Sequence, residues 1–164
     1  MLFRSKFLGL PKGHAVAVSS GTAALYLSLW VLNGKEKNIA LPSYTCTALY
    51  NSIRMNNAIP YFIDNEINSP NIDINQLNNS DCEIAIIPHT YGFPVDLDKV
   101  KTKFIIEDCC QSLGSYYKDN HTGLYGDVAV FSFYVSKIIT SGGQGGMIVS
   151  KDRKSTRLNS SHRT

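Results

Sequence analysis

The chain has 164 residues, 43% of them hydrophobic and 18% charged, with a formal charge of +3. That balance fits a globular protein with a real core and excludes a disordered, fibrous or low-complexity chain. The excess charge lies at the end, where Lys151, Arg153, Lys154, Arg157 and Arg163 face only Asp152, and residues 1–150 carry 11 basic and 12 acidic side chains. With no basic helix or aromatic-basic stripe upstream, no nucleic-acid partner is expected.

The start of the chain has Arg4, Lys6 and Lys12 between its apolar residues, and the longest apolar run, residues 23–32, is about half of a membrane span. No signal peptide, membrane helix or membrane partner is expected, and the protein reads as cytoplasmic. Cys46, Cys82, Cys109 and Cys110 form no C-x-x-C pair and read as reduced, small core residues.

In chain order, a short apolar run at residues 15–18 predicts a first buried strand. Ser19-Ser20-Gly21-Thr22 then turns into a helix over residues 22–33, where Leu25, Leu29 and Leu32 fall at helical spacing. A small-residue turn at a helix start leaves backbone N–H groups free to seat a phosphate, although a plain serine N-cap without a ligand reads equally well. A strand over residues 38–41, a helix over 45–57 and a strand over 60–63 follow. Residues 65–81, rich in Asn, Asp, Ser and Pro, predict a surface loop with one short helix at 74–77.

Further strands are predicted at residues 84–87, 104–106, 128–131 and 147–149, all short, rich in Val and Ile, and of the kind buried on both faces. The strand at 104–106 ends in Glu107-Asp108, with Gln111 just beyond. A carboxylate at the carboxyl end of such a strand can hold a cationic ring nitrogen and Gln111 can donate to a neighbouring oxygen, or the acids can cap a following helix. The strand at 128–131 runs through Ser132 to Lys137 and then to Gly142-Gly143-Gln144-Gly145-Gly146. A lysine there is a solvated surface charge or a desolvated amine able to attack carbonyls, and the glycines match neither the dinucleotide nor the Walker spacing. Strand and helix alternate, so the fold class is α/β, with a mostly parallel sheet sandwiched by helices. His14, His89, His121 and His162 are scattered without ligand spacing, and no metal site is expected.

Taken together, SSGTAAL, LPSYT, the HTYG of residues 89–92, IEDCCQ, GDVAVFSFYVSK and SGGQGGMIV resemble the successive motifs of the DegT/StrS-type sugar-nucleotide aminotransferases, over about residues 14–152. The resemblance implies the fold type I large domain that binds pyridoxal 5'-phosphate. It places Gly21, Thr22 and Ser132 on the cofactor's phosphate, Asp108 on its pyridine nitrogen, Gln111 on its phenolic oxygen, and Lys137, the catalytic residue, on its aldehyde carbon. It further implies a keto-sugar nucleotide substrate, glutamate as amino donor and a homodimer.

Two departures accompany it: Cys46 stands where members commonly place an aromatic over the cofactor ring, and members are about twice as long. Residues 1–152 are accordingly expected to be a partial large domain, inactive alone, and 153–164 a polar, artefactual tail outside the family pattern. The rival readings are another fold type I enzyme, a dehydratase or lyase, and a non-catalytic binding or regulatory module. Dehydratase relatives replace the lysine by histidine, and a module would be marked by loss of Lys137 or Asp108.

Overall fold

The computed structural model describes residues 2–152; the expected tail, residues 153–164, lies outside them. In chain order the elements are α1 (Leu2–Phe7), β1 (Ala15–Val18), α2 (Gly21–Val31), β2 (Asn38–Pro42), α3 (Thr47–Met55), β3 (Ile59–Ile63), α4 (Ile74–Asn78), β4 (Ile84–Pro88), β5 (Phe104–Asp108), β6 (Tyr116–Tyr117), β7 (Asn120–His121), β8 (Val128–Ser132) and β9 (Gly146–Val149). Seven strands form one sheet in the order β1-β9-β8-β5-β4-β2-β3, and β6 and β7 form a separate small hairpin. From β8 to β3 every pairing is parallel, while β9 runs antiparallel to β8 and β1. The structure is the α/β class expected from the alternation of elements.

Where the strands end matters for the site. Asp108, Ser132 and Gly146 do not read as strand residues, yet the ladder continues through them, with Pro88 opposite Asp108, Asp108 opposite Val130, and Ser132 opposite Gly146. Backbone pairing ignores side-chain polarity, so strands predicted from apolar runs stop short of the polar residues they present. The helices err the other way. Asn33 and Asn57 adopt φ of 53° and 55°, the left-handed conformation that terminates helices, so α2 and α3 end before them.

Alternation along the central strands feeds two cores. Ile84 and Ile86 face Leu25 and Leu29 of α2 and Leu49 and Ile53 of α3, whereas Ala85 and Ile87 face Ile72, Leu77, Val95 and Leu97 on the other side. A third cluster, with Phe131, Met147 and Val149, packs Leu8 and Leu124 over the β8–β9 end. The expectation that the strands are buried on both faces fails at β1, where no residue is fully buried, and at β3, where Ile59, Tyr61 and Phe62 are about half exposed. β1 and β3 are the two edge strands, each with a single neighbouring strand among the described residues.

Because β1 is turned back into the sheet through antiparallel β9, it runs in the same sense as β8, β5 and β4. Its carboxyl end, with the turn into α2, therefore lies at the same edge of the sheet as Asp108 and Ser132, the edge where ligands of open α/β sheets gather.

Candidate active site

Both readings of the turn before α2 hold at once. Ser20 is the N-cap, its Oγ accepting the Ala23 N–H at 3.1 Å, and its carbonyl accepts the Ala24 N–H at 3.0 Å. The cap thus uses the third and fourth donors of the helix start and leaves the amides of Gly21 and Thr22 as the uncommitted ones. Gly21 is required by close approach: a Cβ there would lie 2.9 Å from Ser132 Cβ, 3.2 Å from Ser132 Oγ and 3.3 Å from Cys110 Sγ. Turn, Ser132 and Cys110 are therefore packed against one another.

The adjacent acids at the end of β5 part company, as strand alternation demands. Asp108 is 7% exposed and faces the site; its Oδ1 accepts the Cys110 N–H at 2.9 Å, closing the turn after the strand. No helix follows among the described residues, so neither acid is a helix cap. Glu107 points to the opposite side and is fully buried. Its carboxylate accepts the N–H groups of Gly123 (2.7 Å), Tyr125 (2.7 Å) and Gly126 (2.5 Å) and the Nε2–H of His89 (2.9 Å). Burial alone would raise its pKa, but the His89 bond and the backbone donors outweigh burial and hold it below the usual carboxylate range. The tautomer of His89 follows from geometry: Nδ1 accepts the Val95 N–H at 3.0 Å, so the ring proton sits on Nε2.

His89, Glu107 and Cys109 place ligand atoms within 4.8 Å of one another. Both Glu107 oxygens and both His89 nitrogens are spent on hydrogen bonds, and burial pushes the Cys109 thiol well above its ordinary value. This is a hydrogen-bonded strut that ties β4 and β5 to the 123–126 turn, built unlike a metal centre.

Beside Asp108 opens a cavity of about 230 Å³ lined by Tyr44, Cys46, His89, Thr90, Tyr91, Asp108 and Gln111, among others. Gln111 Oε1 accepts the Tyr91 N–H at 3.0 Å. A backbone N–H can bond only to the amide oxygen, so Nε2 is left as the donor, as the sequence reading requires of this residue. Tyr91 holds a left-handed φ of 55°, uncommon for an aromatic, and its hydroxyl meets that of Tyr44 at 2.5 Å. Cys46 is exposed at the start of α3 and lines the cavity, contrary to its reading as a core residue; Cys82 and Cys109 are buried and Cys110 half-buried. The reason is position: Cys46 precedes the first turn of α3 and packs against no cluster.

Lys137 is half-buried in the turn after β8, its N–H bonded to the Tyr134 carbonyl at 2.9 Å. Its Nζ makes no ion pair or hydrogen bond among the described residues. The loop bearing it is closed at its base by Phe133 N–H to the Gly145 carbonyl at 2.8 Å, and Gly146 passes so close to the turn before α2 that a Cβ there would lie 2.3 Å from the Ser20 carbonyl oxygen. Cys110 lies at the join of the turn and β5: Gly21 packs against its Sγ and Asp108 accepts its N–H, and burial, then Asp108, pushes that thiol well up, against a smaller lowering by the Lys137 charge. Thr90 and Tyr91 were legible only as part of a motif, and nothing local announces the φ of Tyr91.

The model of the DegT/DnrJ/EryC1/StrS aminotransferase family matches residues 4–160. The chain belongs to this family. Among curated relatives it is 35% identical over 150 residues to the GDP-perosamine synthase of Escherichia coli O157:H7, covering 85% of this chain and 41% of that protein. Among solved structures it is similar to the aminotransferase from Psychrobacter cryohalolentis, with a TM-score of 0.88 and 28% identity over 94% of this chain and 41% of that one. It is also similar to E. coli GDP-4-keto-6-deoxy-D-mannose-3-dehydratase with bound hydrated PLP, with a TM-score of 0.86 and 26% identity over 95% of this chain and 43% of that one. The chain spans about two fifths of the length of these relatives. No helix among the described residues is long and apolar enough to cross a membrane.

Proposed function

We propose that this family member forms the cofactor-holding part of an enzyme that transfers an amino group to a keto sugar carried on a nucleotide, with pyridoxal 5'-phosphate as cofactor. The observation that carries the reading is the packing of Gly21 against Ser132 and Cys110, with the Cys110 N–H held by Asp108, at the carboxyl edge of the sheet. The donor set fits the cofactor: two free amides and a hydroxyl for a phosphate, a part-buried carboxylate for a ring cation, an amide N–H for a ring oxygen, and an unpaired amine. A buried hydroxyl without a partner, Thr90 Oγ1, also lines the cavity.

Gly21, Thr22 and Ser132 would hold the phosphate, Asp108 the pyridine nitrogen, Gln111 the phenolic oxygen and Lys137 the aldehyde carbon. When bound, pyridoxal phosphate supplies an electron sink for the carbon bearing the transferred amino group. Asp108 serves it by keeping a proton on the ring nitrogen; fixed by the Cys110 N–H, its carboxylate cannot swing away. Lys137 would hold the cofactor's aldehyde carbon, and its Nζ, when free, would be the group to take a proton from one carbon and return it to another. Glutamate as donor, a homodimeric assembly and a cytoplasmic location belong to the same proposal and rest on the family alone.

Dehydratase relatives carry histidine in place of this lysine, so Lys137 favours transfer over dehydration. The retained Lys137 and Asp108 likewise argue against a non-catalytic module. Borohydride reduction of the protein in the presence of pyridoxal phosphate, followed by peptide mass mapping, is expected to place the label on Lys137. A label found on other lysines and undiminished in Lys137→Ala would overturn the assignment.

A further inference from the structure

Thr90 is only 6% exposed, and its Oγ1 is buried with no hydrogen-bond partner among the described residues. Its backbone is fully engaged: the N–H bonds to Asn71 Oδ1 at 3.2 Å and the carbonyl accepts the Phe93 N–H at 3.0 Å. The residue is held in place from both ends while its one free polar atom goes unsatisfied. Buried hydroxyls are nearly always paired, and one that is not calls for a partner supplied from elsewhere.

The surroundings say where that partner sits. Thr90 lines the same cavity as Asp108 and Gln111. Gln111 docks its amide oxygen on the N–H of the next residue, Tyr91, which leaves its Nε2 as the donor and ties Gln111 to the Thr90–Tyr91 segment of the cavity wall. Tyr91 is itself held in a left-handed φ and by the hydroxyl contact with Tyr44.

We infer that Thr90 Oγ1 is a direct ligand contact, donating to the same ring oxygen that Gln111 Nε2 reaches, the phenolate oxygen of pyridoxal phosphate. The inference rests on the cofactor reading above and deepens it, adding a second donor at that oxygen. Two donors on one oxygen favour its ionised form and fix the ring's rotation in the pocket.

The experiment compares the protein with Thr90→Val, which keeps shape and removes the hydroxyl, and Thr90→Ser, which keeps the hydroxyl. Titrations use pyridoxal 5'-phosphate and 3-deoxypyridoxal 5'-phosphate, which lacks the ring oxygen. Thr90→Val is expected to bind pyridoxal phosphate roughly tenfold more weakly, the size of a hydrogen bond to a charged group, and Thr90→Ser within about threefold of the parent. The pH at which the bound cofactor's absorbance changes should rise in Thr90→Val, because the oxygen has lost a donor. A structural role would not move it. The deoxy analogue should bind parent and Thr90→Val alike, and the melting temperature of the ligand-free protein should be unchanged or higher in Thr90→Val, where an unsatisfied group has been removed.

Equal binding of pyridoxal phosphate by parent and Thr90→Val overturns the inference and leaves the cofactor reading standing. Equal weakening toward both ligands, which would put the hydroxyl against a different part of the ligand, overturns it too. Failure of the parent to bind pyridoxal phosphate overturns both.

Discussion

Gly21 and Ser132 approach so closely that a methyl group on Gly21 would lie 2.9 Å from Ser132 Cβ, and this contact joins the start of α2 to the end of β8. On the proposed reading both residues donate to the cofactor's phosphate, and the close approach leaves no room for a side chain at Gly21. Gly21→Ala is expected to displace Ser132 or the turn, destabilising the protein by about 1–3 kcal/mol as overpacking does. It should also weaken pyridoxal phosphate more than a phosphate-free analogue such as pyridoxal. Thermal melts and paired titrations check this; a variant that lost both ligands equally would place the phosphate elsewhere.

Among the described residues Asp108 is the only carboxylate lining the 230 Å³ cavity. Asp108→Ala should bind the cofactor more weakly and, in the complete enzyme, lower the proposed amino transfer to a keto-sugar nucleotide by about 10²–10³-fold, the usual scale for removing one preorganised electrostatic partner. Asp108→Asn keeps the size and should lose nearly as much, because a neutral amide cannot hold a proton on the ring nitrogen. Near-normal turnover in either variant would show that the ring nitrogen has another partner.

Glu107 yields a prediction about stability and not about chemistry. Its carboxyl is held below the usual range in the folded protein, so the folded state binds its proton less readily than the unfolded chain. The stability it contributes is therefore present above the unfolded value of about 4.3 and lost as pH falls through the lower, folded value. Glu107→Gln strands some of the four donors now served, those of His89, Gly123, Tyr125 and Gly126, and should cost about 2–4 kcal/mol at neutral pH. Its acid-side loss of stability should also be shallower than the parent's. Denaturant titrations between about pH 3 and 7 test both parts; parallel pH profiles for parent and variant would remove Glu107 from the account.

Much of this was legible in the chain. Apolar runs located the seven sheet strands to within about a residue or two, and the motif order named the family that the comparison bears out. What was not legible depends on direction and partners. Sequence placed Glu107 and Asp108 side by side, and only the pleat of β5 sends one to a buried strut and the other to the cavity. Thr90 was a letter in HTYG; its backbone is held by Asn71 from a distant loop and by Phe93 across the local turn, and its buried, unpartnered hydroxyl shows only in the fold. The α1 helix and the β6–β7 hairpin escaped because six- and two-residue elements carry too little pattern to separate from coil.

The four free cysteines should separate by reactivity. Thiolate is the reacting form, so a thiol must be both accessible and able to ionise. Burial pushes Cys109 and Cys110 well above the ordinary value and raises Cys82, whereas Cys46 is exposed at the start of α3 and lines the cavity. In the native protein iodoacetamide is expected to label Cys46 at least about tenfold faster than the other three, which should react at comparable rates only once the protein is denatured. Because Cys46 borders the cavity assigned to the cofactor, pyridoxal phosphate should slow its labelling and leave the residual rates at Cys82 and Cys109 unchanged. Peptide mapping of time-resolved labelling, with and without the cofactor, reads all four positions at once. Rapid labelling of Cys110 in the native state would show that its packing against Gly21 is open, and lack of protection at Cys46 would move the bound ring away from the Tyr44–Tyr91 wall.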